Sequence, residues 1–188
     1  MGVLSRDNRL LTPPRTTCVL DRVSMRRLTE ADAAEYNAFL KRGVGAHPDT
    51  LRIAAEDFEA APFSTAPTED AVTFATFCDE GVWLGVVTIE RESGRAKRRH
   101  IAWVLRMYVD ASHAGSGIGR ALLRAALDRA AEMPGISKVN LTVAAHNEPA
   151  IALYVSEGFE PFAREEDAFR DPQPRAELSM WAPVRSWT

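Results

Sequence analysis

Cysteine is scarce: the 188 residues include two, Cys18 and Cys78. They lie far apart and in no metal-ligand spacing. A disulfide framework is not expected, and a reducing cytoplasm fits. Long apolar runs are missing as well. None approaches the ~18–20 residues that a membrane span needs. Arg6, Arg9 and Arg15 lie near the N-terminus, but no continuous apolar segment follows them, so no secretory signal is read there. A large excess of either charge is also lacking, since 23 basic and 26 acidic residues leave a net charge of −3. That gives no general electrostatic case for binding nucleic acid or a membrane surface. His47, His100, His113 and His146 show no metal spacing, and no metal is expected. Internal repeats and low-complexity segments are absent.

What is present is an ordinary globular composition, 46% hydrophobic and 26% charged, in a chain long enough for a real core. Residues 1–22, with Pro13-Pro14, read as an N-terminal arm, and residues 23–184 as a single domain. Val23 to Leu28 is a strand candidate. Thr29 then caps a helix from Glu30 to Arg42, with Asp32 as a capping-box partner and Gly43 as its stop. Pro48 and Asp49 open a second expected helix, with Leu51, Ala54, Ala55 and Phe58 on one face. Three strand candidates follow, Ala71–Cys78, Val82–Glu90 and His100–Val109, joined by short turns as in an antiparallel meander. The basic stretch Arg95 to Arg99 reads as a solvated hairpin tip.

The most informative stretch begins where the third of these strands ends. Gly115, Gly117 and Gly119 alternate with Ser116 and Ile118 before a helix with Ala121, Leu122 and Ala125 on one face. Glycines allow sharp bends and bring backbone N–H groups close to a ligand. At a helix N-terminus those groups are unpaired and the dipole is positive, which suits a phosphate. Arg124 can pair with Asp128 on the polar stripe. Pro134-Gly135 ends the helix, and Lys138–Val143 is a strand parallel to the one before it, since a helix joins the two. Asn147 caps a further helix with Pro149 in its first turn, and Gly158 stops it. An excursion from Pro161 to Pro174 precedes a last strand, Ala176–Trp181.

Two familiar phosphate motifs are excluded by counting. A dinucleotide fingerprint needs Gly-x-Gly-x-x-Gly, but the sixth position from Gly115 is Arg120. A P-loop needs Gly-Lys-Ser/Thr, and Gly119 is followed by Arg120 and Ala121.

The combination of motifs is more specific. Tyr108-Val109-Asp110, the run Gly115 to Leu123, and then Asn147, Ala150, Leu153, Tyr154, Gly158 and Phe159 resemble the GNAT family of N-acetyltransferases. The resemblance covers roughly Val23 to Trp181. It implies an α/β fold with a mixed, mainly antiparallel central sheet flanked by helices, and acetyl-coenzyme A as acetyl donor. By resemblance, backbone groups around Met107, Tyr108 and Val109 bind the pantetheine arm between splayed strands. The turn Ala114, Gly115, Ser116, Gly117, Ile118, Gly119 and Arg120 cradles the pyrophosphate. Asn147 and Ala150 contact the cofactor from the next helix, and Tyr154 lies near its sulfur as the acid that protonates the leaving thiolate. Alone, Tyr154 would read as helix packing.

Two positions depart from the family pattern. Where relatives have Arg or Gln in Arg/Gln-x-x-Gly-x-Gly/Ala, this chain has Ala114. Backbone amides still hold a pyrophosphate there; lower affinity and compensation by Arg120 are the two expected consequences. Where many relatives have a strand Glu as general base, this chain has Trp103. Glu90, His100, Glu56 or a water chain stand as alternatives. Trp83, Trp103, Phe63 and Phe77 are acceptor-pocket candidates, though aromatic residues in strands are more often core. The expectation is a cytoplasmic acetyltransferase acting on a small-molecule, peptide or protein amine, as monomer or homodimer. A coenzyme A-binding scaffold without turnover and an enzyme with a longer acyl donor are the competing readings.

Overall fold

Seven strands form one mixed sheet in the computed structural model of the protein, which describes residues 23–184. In chain order they are β1 Ser24–Arg27, β2 Ala71–Phe77, β3 Trp83–Arg91, β4 Ile101–Val109, β5 Lys138–Ala144, β6 Glu160–Asp171 and β7 Gln173–Pro183. Across the sheet the order is β1-β2-β3-β4-β5-β7-β6. Every neighbouring pair is antiparallel except β4 and β5, the pair joined through a helix. The fold class and the antiparallel meander expected from the sequence are both present. The expected arm, residues 1–22, lies outside the described residues.

Alternation in the strands divides the core between the two faces of the sheet. Val72 and Phe74 of β2 join Leu122, Leu123 and Ala126 of α3 (Ile118–Glu132) on one face. Ala75 and Phe77 of the same strand join Tyr36, Phe39 and Leu40 of α1 (Ala33–Ala46) on the other. Each fully buried Leu of this kind contributes about 1.5–3 kcal/mol. The long strand β4 is thus covered on both faces, and its far end is where the site forms.

Three expectations of secondary structure are corrected. The first helix does not stop at Gly43: a 3-10 turn at Glu30–Asp32 leads into α1, which runs on to Ala46. A Cβ at Gly43 would lie 2.7 Å from the Tyr108 ring, so this glycine lets a ring approach the helix and does not terminate it. The expected helix from Pro48 is reduced to one turn, α2 (Asp57–Ala60); residues 48–56 form a connecting loop and turns. The Pro161–Pro174 excursion is the long β6–β7 hairpin. Both prolines are tolerated because their positions lack a second neighbour. β6 is an edge strand, and Pro174 lies beyond the stretch of β7 that pairs with β5.

Cys78 is disulfide-bonded, which corrects the expectation of reduced thiols. No helix among the described residues is long and apolar enough to cross a membrane.

Candidate active site

The parallel ladder between β4 and β5 is short. It pairs Ile101 with Lys138, Ala102 with Val139 and Trp103 with Asn140, and stops there. Beyond that point the strands part, and residues 104–109 line a cavity of about 610 Å³ together with Leu141, Thr142 and Val143. One cause lies in β4 itself. The register against β3 slips by one residue between Val86/Tyr108 and Thr88/Leu105, and Arg106 sits at φ 49. An extra residue at a left-handed φ is a β-bulge, which bends its strand and raises its twist.

The glycine turn closes one end of the gap. Asp110 begins it, accepting a hydrogen bond from the Ser112 N–H at 3.0 Å. Gly115 and Gly117 have φ of 76 and 86, and a Cβ at either would meet nothing within 4 Å. Glycine is therefore required here by backbone angle and not by crowding. Gly117 is the N-cap of α3, and the first helical bond runs from the Ala121 N–H to its carbonyl at 3.0 Å. The N–H groups of Ile118, Gly119 and Arg120 precede that bond and have no helical acceptor. Their dipoles reinforce one another toward an anion.

The opposite wall is α4 (Glu148–Ser156). Asn147 caps it, accepting from the Ala150 N–H at 3.3 Å, a contact that typically contributes about 0.5–2 kcal/mol. This cap directs Ala150, Leu153 and Tyr154 at the cavity. Tyr154 is buried, its ring 5.9 Å from that of Phe159, and its hydroxyl donates weakly to Met107 Sδ at 3.7 Å. Burial pushes its phenol up to about 12.

Of the residues singled out from the sequence, Met107, Tyr108, Val109, Ala114, Gly115, Gly117, Gly119, Asn147, Ala150 and Tyr154 line one cavity. Ser116, Ile118 and Arg120 do not. The Ser116 hydroxyl donates to the His113 carbonyl at 2.6 Å, and Ile118 is buried in the core. Arg120 does not compensate for Ala114 with its side chain. It pairs with Glu157 at 3.1 Å and donates to Ser156 Oγ at 3.1 Å. Arg124 also binds Glu157, at 2.8 and 3.1 Å, and Asp128 adds an electrostatic attraction to Arg124. Two arginines thus clamp one nearly buried carboxylate and fix α4 on α3.

The expected general bases lie elsewhere. Trp103 donates to Glu92 at 3.0 Å, Glu90 faces Arg106 at 3.8 Å, and neither lines the gap; nor do His100 and Glu56. Of the aromatic candidates, Phe63 reaches the cavity, while Trp83 packs on Phe39 and Phe77. Two of the basic hairpin residues are paired, Arg98 with Glu92 and Arg99 with Asp70. Among the described residues no cluster of His, Cys, Asp or Glu could hold a metal.

The sequence reading missed Glu177. It lies on β7, is 5% exposed and lines the cavity. Its Oε2 accepts from Arg52 Nη1 at 2.9 Å, and Arg52 belongs to the loop after α1. Burial raises its carboxyl above the usual range, against the lowering pull of Arg52. In the sequence it is one acid in the expected last strand, and only the sheet order sets that strand beside β5.

The comparisons with known proteins agree with this geometry. The Acetyltransferase (GNAT) family matches residues 34–159. A mycothiol acetyltransferase of Clavibacter sepedonicus is 31% identical over 132 residues, 70% of this chain. The chain spans only 41% of that relative's length. An acetyltransferase of the GNAT family from Streptococcus pneumoniae superposes with TM-score 0.74 at 21% identity, covering 87% of this chain and 100% of that one. The structure of yncA from Salmonella typhimurium with its cofactor acetyl-CoA superposes with TM-score 0.71 at 17% identity, covering 89% and 96% of the two chains. At such identities these structures speak to the fold alone. The family match covers most of the described residues, and the chain belongs to the GNAT family of acetyltransferases.

Proposed function

We propose that the chain moves an acetyl group from acetyl-coenzyme A to a primary amine by direct attack in a ternary complex. The observation that carries this reading is the parting of β4 and β5 after Trp103 and Asn140, beside a helix N-terminus with free N–H groups. The residues present suit the donor. The turn from Gly115 to Arg120 offers amides to a pyrophosphate and needs no side chain for it. The parted strands offer unpaired backbone groups of Met107 and Val109 to an amide-bearing arm. Ala114, Tyr108, Asn147 and Ala150 supply the walls. Acetyl-coenzyme A brings an acetyl group activated as a thioester.

The chain's own residues then have three tasks. They exclude water from the reacting carbon, donate to its oxygen as negative charge develops, and protonate the departing sulfur. Backbone N–H groups of the bulged β4 near Met107 suit the second task, because fixed donors cost no reorganisation. Tyr154 suits the third, since its phenol is raised to about 12 and stays protonated across the physiological range.

The test is thiol release from acetyl-coenzyme A across a panel of putrescine, glucosamine, free methionine and an alanyl tripeptide. At least one amine is expected to release thiol well above background hydrolysis. A protein that melts later with coenzyme A, yet releases no thiol with any amine, would instead be a binding module. Trp103 in the place of a strand Glu is the feature that favours this second reading.

A further inference from the structure

We infer that Glu177 is the residue that receives the acceptor's ammonium group and takes its proton. This rests on the transferase reading above and adds the acceptor half of the site. The β7 partner of Ala144, at the end of β5, is Glu177. Glu177 lines the same cavity as Met107, the residue that Tyr154 touches. Arg52 and Tyr154 reach the gap from opposite faces of the sheet, one from the loop after α1 and the other from α4. A donor threaded between β4 and β5 has Tyr154 on one side and Glu177 on the other.

The surroundings of Glu177 explain why it is a buried acid with a partner at the mouth. Arg52 holds one oxygen, Thr142 of β5 hydrogen-bonds the carboxyl, and Glu165 of β6 stands opposite it across the strands. Two residues along β7, Arg175 faces Asp49 at 3.7 Å, and Asp49 faces His146 at 3.3 Å. The loop after α1 is thus tied to β7 by ion pairs, and to the entrance of α4 by the Asp49–His146 contact. A cationic amine fits beside it, because an ammonium restores the charge balance that burial and Glu165 disturb. The rest of the acceptor wall, Leu51, Ile53 and Phe63, is apolar.

The proton balance closes without a further reactant. The ammonium gives one proton to Glu177, which passes it to solvent at the mouth. The neutral nitrogen forms the C–N bond as the C–S bond breaks. Tyr154 gives its proton to the sulfur and recovers one from the acylated nitrogen. The products are an amide, a thiol and one released proton.

The experiment compares the wild type with Glu177→Gln, using the best amine of the panel above. Two readouts are followed, the pH profile of kcat/KM and calorimetric binding of that amine to the coenzyme A-loaded protein. Glu177→Gln is expected to lower kcat/KM by about 100-fold or more, abolish the acidic limb and weaken amine binding, with coenzyme A affinity unchanged within about twofold. Arg52→Ala leaves the acid in place without the cation that lowers it, so the acidic limb moves to higher pH. That second variant decides the matter even if Glu177→Gln fails to fold. Wild-type turnover that survives Glu177→Gln, or an acidic limb unmoved by Arg52→Ala, overturns this assignment alone. A wild type that releases no thiol with any amine overturns the transferase reading and this assignment with it.

Discussion

The two sides of the cavity are built in different ways. The side proposed to hold the donor is contiguous and written in backbone. The end of β4, the glycine turn and the start of α3 follow one another without interruption, with α4 as the facing wall. The side proposed for the acceptor is assembled from distant pieces: Arg52 after α1, Phe63 before β2, and Glu177 on β7, held by side-chain contacts such as the 2.9 Å Arg52–Glu177 pair. The difference teaches which part of such a site tolerates change. Backbone donors depend on a few glycines and caps, whereas the acceptor side can be rewritten by single side chains on a constant frame.

Tyr154 stands at the junction and should show the largest effect on the donor side. Tyr154→Phe is expected to lower kcat by about 100-fold or more, with coenzyme A affinity nearly unchanged by calorimetry. An unchanged kcat would return Tyr154 to plain packing. The same residue makes a pH prediction. Its phenol is held at about 12, above its ordinary 10.0. A raised pKa favours the protonated folded form, so this contribution is complete below pH 10.0 and lost as pH rises toward about 12. The wild type should therefore lose stability relative to Tyr154→Phe over that window, with a limiting slope of ~1.4 kcal/mol per pH unit. Parallel melting curves for the two proteins would contradict the burial.

Smaller changes separate the two sides further. Gly117→Val places a β-branched residue at a φ of 86. Left-handed backbone costs an ordinary residue about 1–2 kcal/mol. Coenzyme A affinity should fall by about tenfold, with a lower melting temperature, while amine preference across the panel stays the same. A changed amine preference would mean the two sides are not separable. Ala114→Arg should have the smallest effect. An added exposed cation near the pyrophosphate contributes ~1 kcal/mol at most, a few-fold gain in affinity by calorimetry. No gain at all would count against placing Ala114 beside the phosphates.

The same contrast decides how much could be read from the sequence. The donor side was legible because its constraints are local. Gly117 must adopt a left-handed angle, Asn147 must cap, and the apolar period of α3 must follow at once. The parallel β4–β5 pair followed from the intervening helix. The acceptor side was not legible. Pro48, Leu51 and Phe58 carry helical spacing, yet residues 48–56 form a connecting loop and turns whose side-chain contacts reach β7 and the entrance of α4. Pro161 and Pro174 read as loop because the sequence does not announce that β6 is an edge strand. Glu177 looked like any acid in a strand until the sheet order set it beside the gap. Arg120 and Arg124 faced solvent on the helical wheel, and Glu157, far along the chain, gathers both.

The most direct measurement is a crystal structure of the protein with acetyl-coenzyme A. The expected result is pyrophosphate oxygens within hydrogen-bond distance of backbone N–H groups between Gly115 and Arg120, with the sulfur beside Tyr154 Oη. A pyrophosphate held by the side chains of Arg120 and Arg124, released from Glu157, would contradict a donor site written in backbone.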